Sequence, residues 1–299
     1  MWLTISLANM LFLVGLRLTQ KKFVASSTMN AFRINWLTFA MSLPIIIGII
    51  VTHLQPIAHL SSSFWLALIV VVVGYYPLVN YLYFHTIRQN ELSSILPLLG
   101  LIPVLTALFS WLLLQQTPSW PAVIGIVSIS ASIYALYQRA GNVWYEPLVA
   151  LGSSTAARAM GVVSLITAVA AVGDKFAIER SSTSLYLALN TVGALLVLGF
   201  CDVMTVRRQD SRTFWREMGR LSNSQWRVLI SLGVLWFMAQ ILGFVAINIS
   251  PNVAYVQAIT SLDIVVASVA AVLLFHERFN RHKLFCYGLS AFGVVMIAL

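Results

Sequence analysis

Residues 65–84, WLALIVVVVGYYPLVNYLYF, and residues 226–245, WRVLISLGVLWFMAQILGFV, decide the fold. Each run is long and apolar enough for an α-helix to cross the hydrocarbon core of a bilayer, which takes about 20 such residues. A shift of 161 residues lays Trp65–Gln116 over Trp226–Glu277 without a gap. Trp65 then meets Trp226, Leu68 meets Leu229, Ile69 meets Ile230, and the aromatic pair Tyr75–Tyr76 falls on Trp236–Phe237. Two helices and their intervening turns stay in register, so the chain reads as an internal duplication.

Outward from these two helices the same pattern recurs. Apolar runs lie at Trp2–Leu18, Ala31–Thr52, Phe64–His85, Leu92–Leu114 and Ser119–Leu136, then at Ala156–Ile178, Leu185–Val203, Trp226–Ile247, Val253–Phe275 and Leu284–Leu299. The first has no positive stretch before it and its charges, Arg17, Lys21 and Lys22, follow it, so it reads as a retained helix and not a cleaved signal. The expected fold is an all-α membrane protein of ten transmembrane helices. Residues 1–140 form a first five-helix repeat, 141–155 a linker, and 156–299 a second repeat. Five is odd, so the repeats enter the membrane in opposite senses, as in secondary transporters built from inverted repeats.

Composition agrees. Of 299 residues 60% are hydrophobic and 9% charged, with a mean hydropathy of +0.88; soluble domains carry roughly 25% charged residues. Too few charges remain to coat a water-facing surface, which excludes ordinary soluble enzymes. The net charge of +9 is spread as short clusters between apolar runs, a pattern of loop orientation and lipid headgroups and not of nucleic-acid binding. The polar stretch 207–227 interleaves Phe214, Trp215 and Met218 with Arg212, Arg216 and Arg220, which fits either a helix lying on the membrane surface or a solvated basic loop.

Ionisable and polar residues within the apolar runs are the candidates for chemistry, because such groups are costly in hydrocarbon. Asp263, about eleven residues into the ninth run, is read as a substrate counter-ion or coupling carboxylate, with Gln257, Thr260 and Ser261 within two turns; a buried hydrogen bond tying helices is the plainer reading. Asn9, Asn80 and Gln240 either line a cavity or bridge helices. Tyr75, Tyr76, Trp236 and Phe237 sit mid-helix, where they either wall a site for a flat or cationic solute or pack the core. Asp174 and Lys175 near the end of the sixth run are explained by snorkelling to the interface. Pro44, Pro77, Pro97 and Pro103 interrupt the second to fourth helices. The five histidines and two cysteines have no metal-ligand spacing, and no glycine-rich phosphate loop occurs, so no metal and no cofactor are expected.

The segments YFHTIRQNELSSILPLLGLIPVLTALFSWLLLQQ and FVAINISPNVAYVQAITSLDIVVASVAAVLLFHERFNRHKLFCYGLSAFGVVMI resemble the paired repeats of the drug/metabolite transporter superfamily, EamA-like ten-helix branch. Pro103, Glu277, Gly293 and Arg33 stand where that family has proline, acid, glycine and arginine. Gln116 stands where it often has Glu, and Cys286 replaces a glycine. The resemblance implies export or uptake of amino acids, amines, nucleotide sugars or similar small solutes without an ATP-binding module.

The function expected is therefore secondary-active transport of a small metabolite by alternating access, driven by the solute's own gradient or by protons. A non-transporting scaffold or a membrane-embedded enzyme is the alternative, though no catalytic cluster is apparent. The lipid bilayer is the surrounding partner, nucleic acid is not, and oligomeric state is left open. Of 18 Lys and Arg, all but Lys175 and Arg180 lie in or beside the alternate turns that share one face. The positive-inside rule puts that face in the cytoplasm of the bacterial inner (plasma) membrane and both termini outside, whereas the resembled family is drawn with termini inside.

Overall fold

The computed structural model describes residues 1–26, 29, 31–53, 60–89, 96–136, 149, 151–152, 154–206, 219, 221–275 and 281–299. Glu277, the apolar residues Phe214, Trp215 and Met218, and most of the linker lie outside the described residues. Among those described there are helices and turns and no strand. They are α1 (Trp2–Ser26), α2 (Ala31–His53), α3 (Ser62–Ile69), α4 (Tyr76–Gln89), α5 (Ile102–Leu114), α6 (Trp120–Leu136), α7 (Thr155–Glu179), α8 (Thr183–Val206), α9 (Asn223–Ile249), α10 (Val253–Phe275) and α11 (Arg281–Ala298). A π-helical segment, Val70–Tyr75, joins α3 to α4 into one span, and a 3₁₀ segment, Leu96–Leu101, leads into α5. Ten spans result. Five of them, within α1, α3–α4, α7, α8 and α9, are long and apolar enough to cross a membrane, and the others carry shorter apolar stretches among the described residues.

The prolines explain the irregular spans. A proline within a helix removes one backbone donor and crowds the preceding turn. Pro77 directly follows the π segment, whose wider turn gives that ring room. Pro97 lies in the 3₁₀ segment and Pro103 in the first turn of α5, where the missing N–H has no partner to lose. Helix starts follow the expected chemistry: Ser61, Ser154 and Ser222 cap α3, α7 and α9, the last with Gln225 as a capping box.

Helix pairing crosses between the halves. α1 packs on α9 and α10, while α7 packs on the α3–α4 span and on α5; α2 meets α8, α5 meets α10, and α6 meets α11. The last pair approaches closely enough that a Cβ on Gly125 would lie 2.5 Å from the Gly293 carbonyl oxygen, and one on Gly293 would lie 2.7 Å from that of Gly125. Small residues permit such backbone contact where there is no hydrophobic force between helices. Ser132 adds a hydrogen bond of 2.7 Å to the Cys286 carbonyl.

Three turns assemble at the end of the bundle that carries the N-terminus. Gln115, the only described non-glycine residue with positive φ, ends α5 in the left-handed conformation. That turn carries Gln116 to α10, where its Oε1 accepts from the Val253 backbone N–H and its carbonyl accepts from Asn252 Nδ2. The Tyr255 hydroxyl accepts from the Ser119 N–H at 2.9 Å, and the Trp2 ring lies 5.8 Å from that of Tyr255. Lys175 enters the same end from α7.

Candidate functional site

Asp263 is 1% exposed on α10 and pairs with Arg17 of α1 through Oδ2. Its Oδ1 is buried without a hydrogen-bond partner. Both helices start at the same end of the bundle, and Arg17 lies further along its helix than Asp263 does. Helical side chains lean toward the N-terminus, so the long arginine reaches back to the carboxylate. The cation for Asp263 thus comes from the first span. Ser261 and Thr260 do not extend this pair, for their hydroxyls donate to the carbonyls of Gln257 and Val256 one turn back on α10.

The aromatic residues collect elsewhere. Tyr76 and Trp236 both pack on Phe39 of α2, at ring separations of 5.3 and 4.0 Å, and Tyr75 stands edge-on to Tyr76 at 5.1 Å. Phe237 is buried in the same core. Phe39, an ordinary apolar residue in the sequence, is thus the ring that links the two matched pairs.

The carboxylate beside these rings is Asp174, not Asp263. Asp174 accepts a hydrogen bond from the Tyr186 hydroxyl of α8 and acts electrostatically on Tyr75 and Tyr76. The side chains of Asn190 and Gln240 face the Tyr76 hydroxyl, and Asn190 also faces that of Tyr186. Asn190 is 2% exposed and its Oδ1 has no partner. Among the described residues no basic side chain pairs with Asp174. The snorkelling explanation of residues 174 and 175 does not hold in this fold. Lys175 is buried, and its Nζ donates to the carbonyls of Ile247, Asn248 and Ser250 at 2.8, 3.1 and 3.2 Å and pairs with Glu179 at 3.3 Å. The carbonyls left open at the end of α9 are strong acceptors, and a cation there also opposes the helix dipole.

The remaining polar candidates join helices. Asn80 donates to the Tyr76 carbonyl at 2.7 Å and accepts from Asn35, which in turn accepts from Gln20 at 3.3 Å, so the first three spans share one chain of amides. Asn9 is buried against Gly243, where a Cβ would lie 2.9 Å from its Nδ2, and its Oδ1 is unpartnered. Arg33 of α2 and Asp202 of α8 form a buried ion pair at 3.1 Å. Its acid went unremarked in the sequence because it stands near the end of an apolar run. No group of three or more metal-ligating side chains occurs among the described residues.

An apolar cavity of about 170 Å³ lies between the π segment and α7, lined by Val70, Gly74, Tyr75, Leu78, Leu165, Ile166, Val169 and Ala170. Tyr75 is its one polar lining residue, and Ala170 is one helical turn from Asp174 on the same face of α7.

The EamA-like transporter family model matches residues 1–138 and 156–299. The chain belongs to the EamA-like transporter family. It is accordingly an integral membrane protein of a transporter family, built of apolar helices. A crystal structure of another protein shares this fold with a TM-score of 0.72 at 16% identity, over 99% of this chain and 95% of that one. No curated protein sequence matches the chain.

Proposed function

We propose that this protein is a secondary-active carrier that moves a small solute by alternating access between two inverted halves. The observation that carries the reading is the family match over both halves of one chain. The packing supports it further. Exchanging the halves turns the contacts of α1 with α9 and α10 into those of α7 with α3–α4 and α5, and leaves the pairs α2–α8, α5–α10 and α6–α11 unchanged. Residues 1–140 and 156–299 are then the two repeats and 141–155 the linker.

In this reading the end that carries the N-terminus is shut, tied by Gln116, Ser119, Asn252, Tyr255 and Lys175. The bonds of Gln116, Ser119, Asn252 and Tyr255 join neutral groups and are worth about 1 kcal/mol each, and those of Lys175 to carbonyls are charge-assisted at about 1.5–3 kcal/mol; none joins two ions across the halves. Asp263, whose cation partner is internal, serves in coupling, and its pair with Arg17 links α1 to α10. The solute meets the tyrosines, Asn190 and Gln240 around Asp174. Energy comes from the solute's gradient or from protons. In reconstituted liposomes uptake of the transported solute is expected to be saturable and to follow an imposed gradient; a purified protein that carries nothing from a broad panel of labelled small metabolites contradicts the reading.

The cluster of basic turns is assigned to the cytoplasm of the bacterial inner membrane and the termini to the outside. In a background lacking Cys201 and Cys286, Ser61→Cys should react with an impermeant thiol reagent added to intact cells and Ser224→Cys should not. The reverse pattern inverts the topology.

A further inference from the structure

The geometry points to an amphiphilic organic monocation as the ligand of the Asp174 site, with its ammonium group at Asp174 and Asn190 and its apolar body in the cavity between the π segment and α7. This deepens the carrier reading and rests on it for the direction of transport, but not for binding.

Three independent features converge. The first is charge: Asp174 sits within a membrane span with one hydrogen bond, from Tyr186, and no basic partner among the described residues. A carboxyl group within a membrane span is stabilised by a proton or by a counter-charge, and Lys175, its neighbour in sequence, does not supply the charge, being turned away and engaged at the end of α9. The second is an excess of acceptors. Asn190 Oδ1 is buried and unpartnered, Asp174 has capacity beyond the Tyr186 bond, and the faces of Tyr75, Tyr76 and Tyr186 attract cations. The Arg17 guanidinium acts on Tyr75 but is paired with Asp263, which leaves Asp174 itself without a positively charged donor among the described residues.

The third is shape. The cavity, about 170 Å³, is comparable to one that holds a single benzene ring. It shares Tyr75 with the Asp174 cluster, and Ala170 carries it along α7 toward Asp174. Its mouth is edged by Val70, Leu78 and Leu165, which are 45%, 47% and 43% exposed on the outer surface of the bundle. Such a mouth faces hydrocarbon, so the ligand is one whose body partitions into lipid. Anions are disfavoured by Asp174, and a neutral ring leaves the orphan acceptors unsatisfied.

Three probes of one shape separate these terms: 2-phenylethylammonium, 2-phenylethanol and 3-phenylpropionate, titrated calorimetrically into the purified full chain in detergent. The ammonium is expected to bind saturably, and the alcohol and the carboxylate at least about tenfold more weakly, as expected when a charge-assisted hydrogen bond is lost. Asp174→Asn should weaken ammonium binding by about tenfold or more. Gly74→Leu is a second handle, because a Cβ at Gly74 meets nothing within 4 Å and the added side chain fills the cavity without strain; it should weaken ammonium binding to a similar extent while the protein stays monodisperse. Equal binding of the three probes, preference for the carboxylate, or undiminished ammonium binding by either variant overturns the inference. Ammonium binding of this pattern in a protein that moves no solute in liposomes leaves the ligand class standing and removes the carrier. Transport of anions only leaves the carrier and removes the ligand class.

Discussion

Two carboxylates of this bundle, Asp263 and Asp174, have opposite surroundings. Asp263 meets the guanidinium of Arg17, a cation supplied by the protein itself. Asp174 meets the Tyr186 hydroxyl and acts on the tyrosines Tyr75 and Tyr76, and pairs with no cation among the described residues. A buried charge that is paired internally holds helices together, whereas one left unpaired is poised to receive a partner from outside. In the proposed function Asp263 accordingly serves structure and coupling, and Asp174 recognition.

Removing the first charge should have the larger effect on stability. Asp263→Asn leaves the Arg17 guanidinium without its carboxylate. Breaking a fully buried pair costs about 3–5 kcal/mol; with Arg17 43% exposed, water recovers part of this and about 2 kcal/mol is expected. Transport should be abolished while the protein still inserts, and Arg17→Gln added to Asp263→Asn should restore part of the stability. Thermal or denaturant unfolding of the single and double variants checks this, and strictly additive losses would show that the two groups are not coupled.

Removing the second charge should scarcely affect stability. Asp174→Asn keeps an acceptor for the Tyr186 hydroxyl and relieves an uncompensated charge, so unfolding free energy should stay within about 0.5 kcal/mol or rise. Solute binding should nonetheless be lost. A destabilisation as large as that of Asp263→Asn would mean that Asp174 has a structural partner, and the contrast between the two sites would fail.

Much of the fold was legible in the sequence, because span length and apolar composition are local properties. The ten runs and the match of Trp65–Gln116 to Trp226–Glu277 needed only periodicity and spacing. The prolines foreshadowed the π segment before Pro77 and the 3₁₀ start of the fourth span. The site was less legible. Its candidates were chosen by depth along single helices, which finds Asp263, Tyr76 and Trp236 but cannot say which carboxylate stands beside which ring. That depends on side-chain direction across helices: Arg17 reaching back one turn, Lys175 turning into the carbonyls of α9, and Phe39 bridging two aromatic pairs. Asp174 was discounted for lying near a helix end. Tyr186 and Asn190, which define its surroundings, read in sequence as ordinary members of an apolar run. A carboxylate with a neighbouring lysine was the available clue; whether that lysine pairs with it is a tertiary fact.

Solute counterflow in liposomes tests the carrier most directly. Vesicles containing the protein are preloaded with excess unlabelled solute, diluted into a trace of labelled solute, and followed over time. Alternating access predicts a transient accumulation of label above its equilibrium level, driven by outward movement of the unlabelled pool through the same site. Label that merely equilibrates at a rate indifferent to the internal solute would instead describe a pore, and would contradict the account.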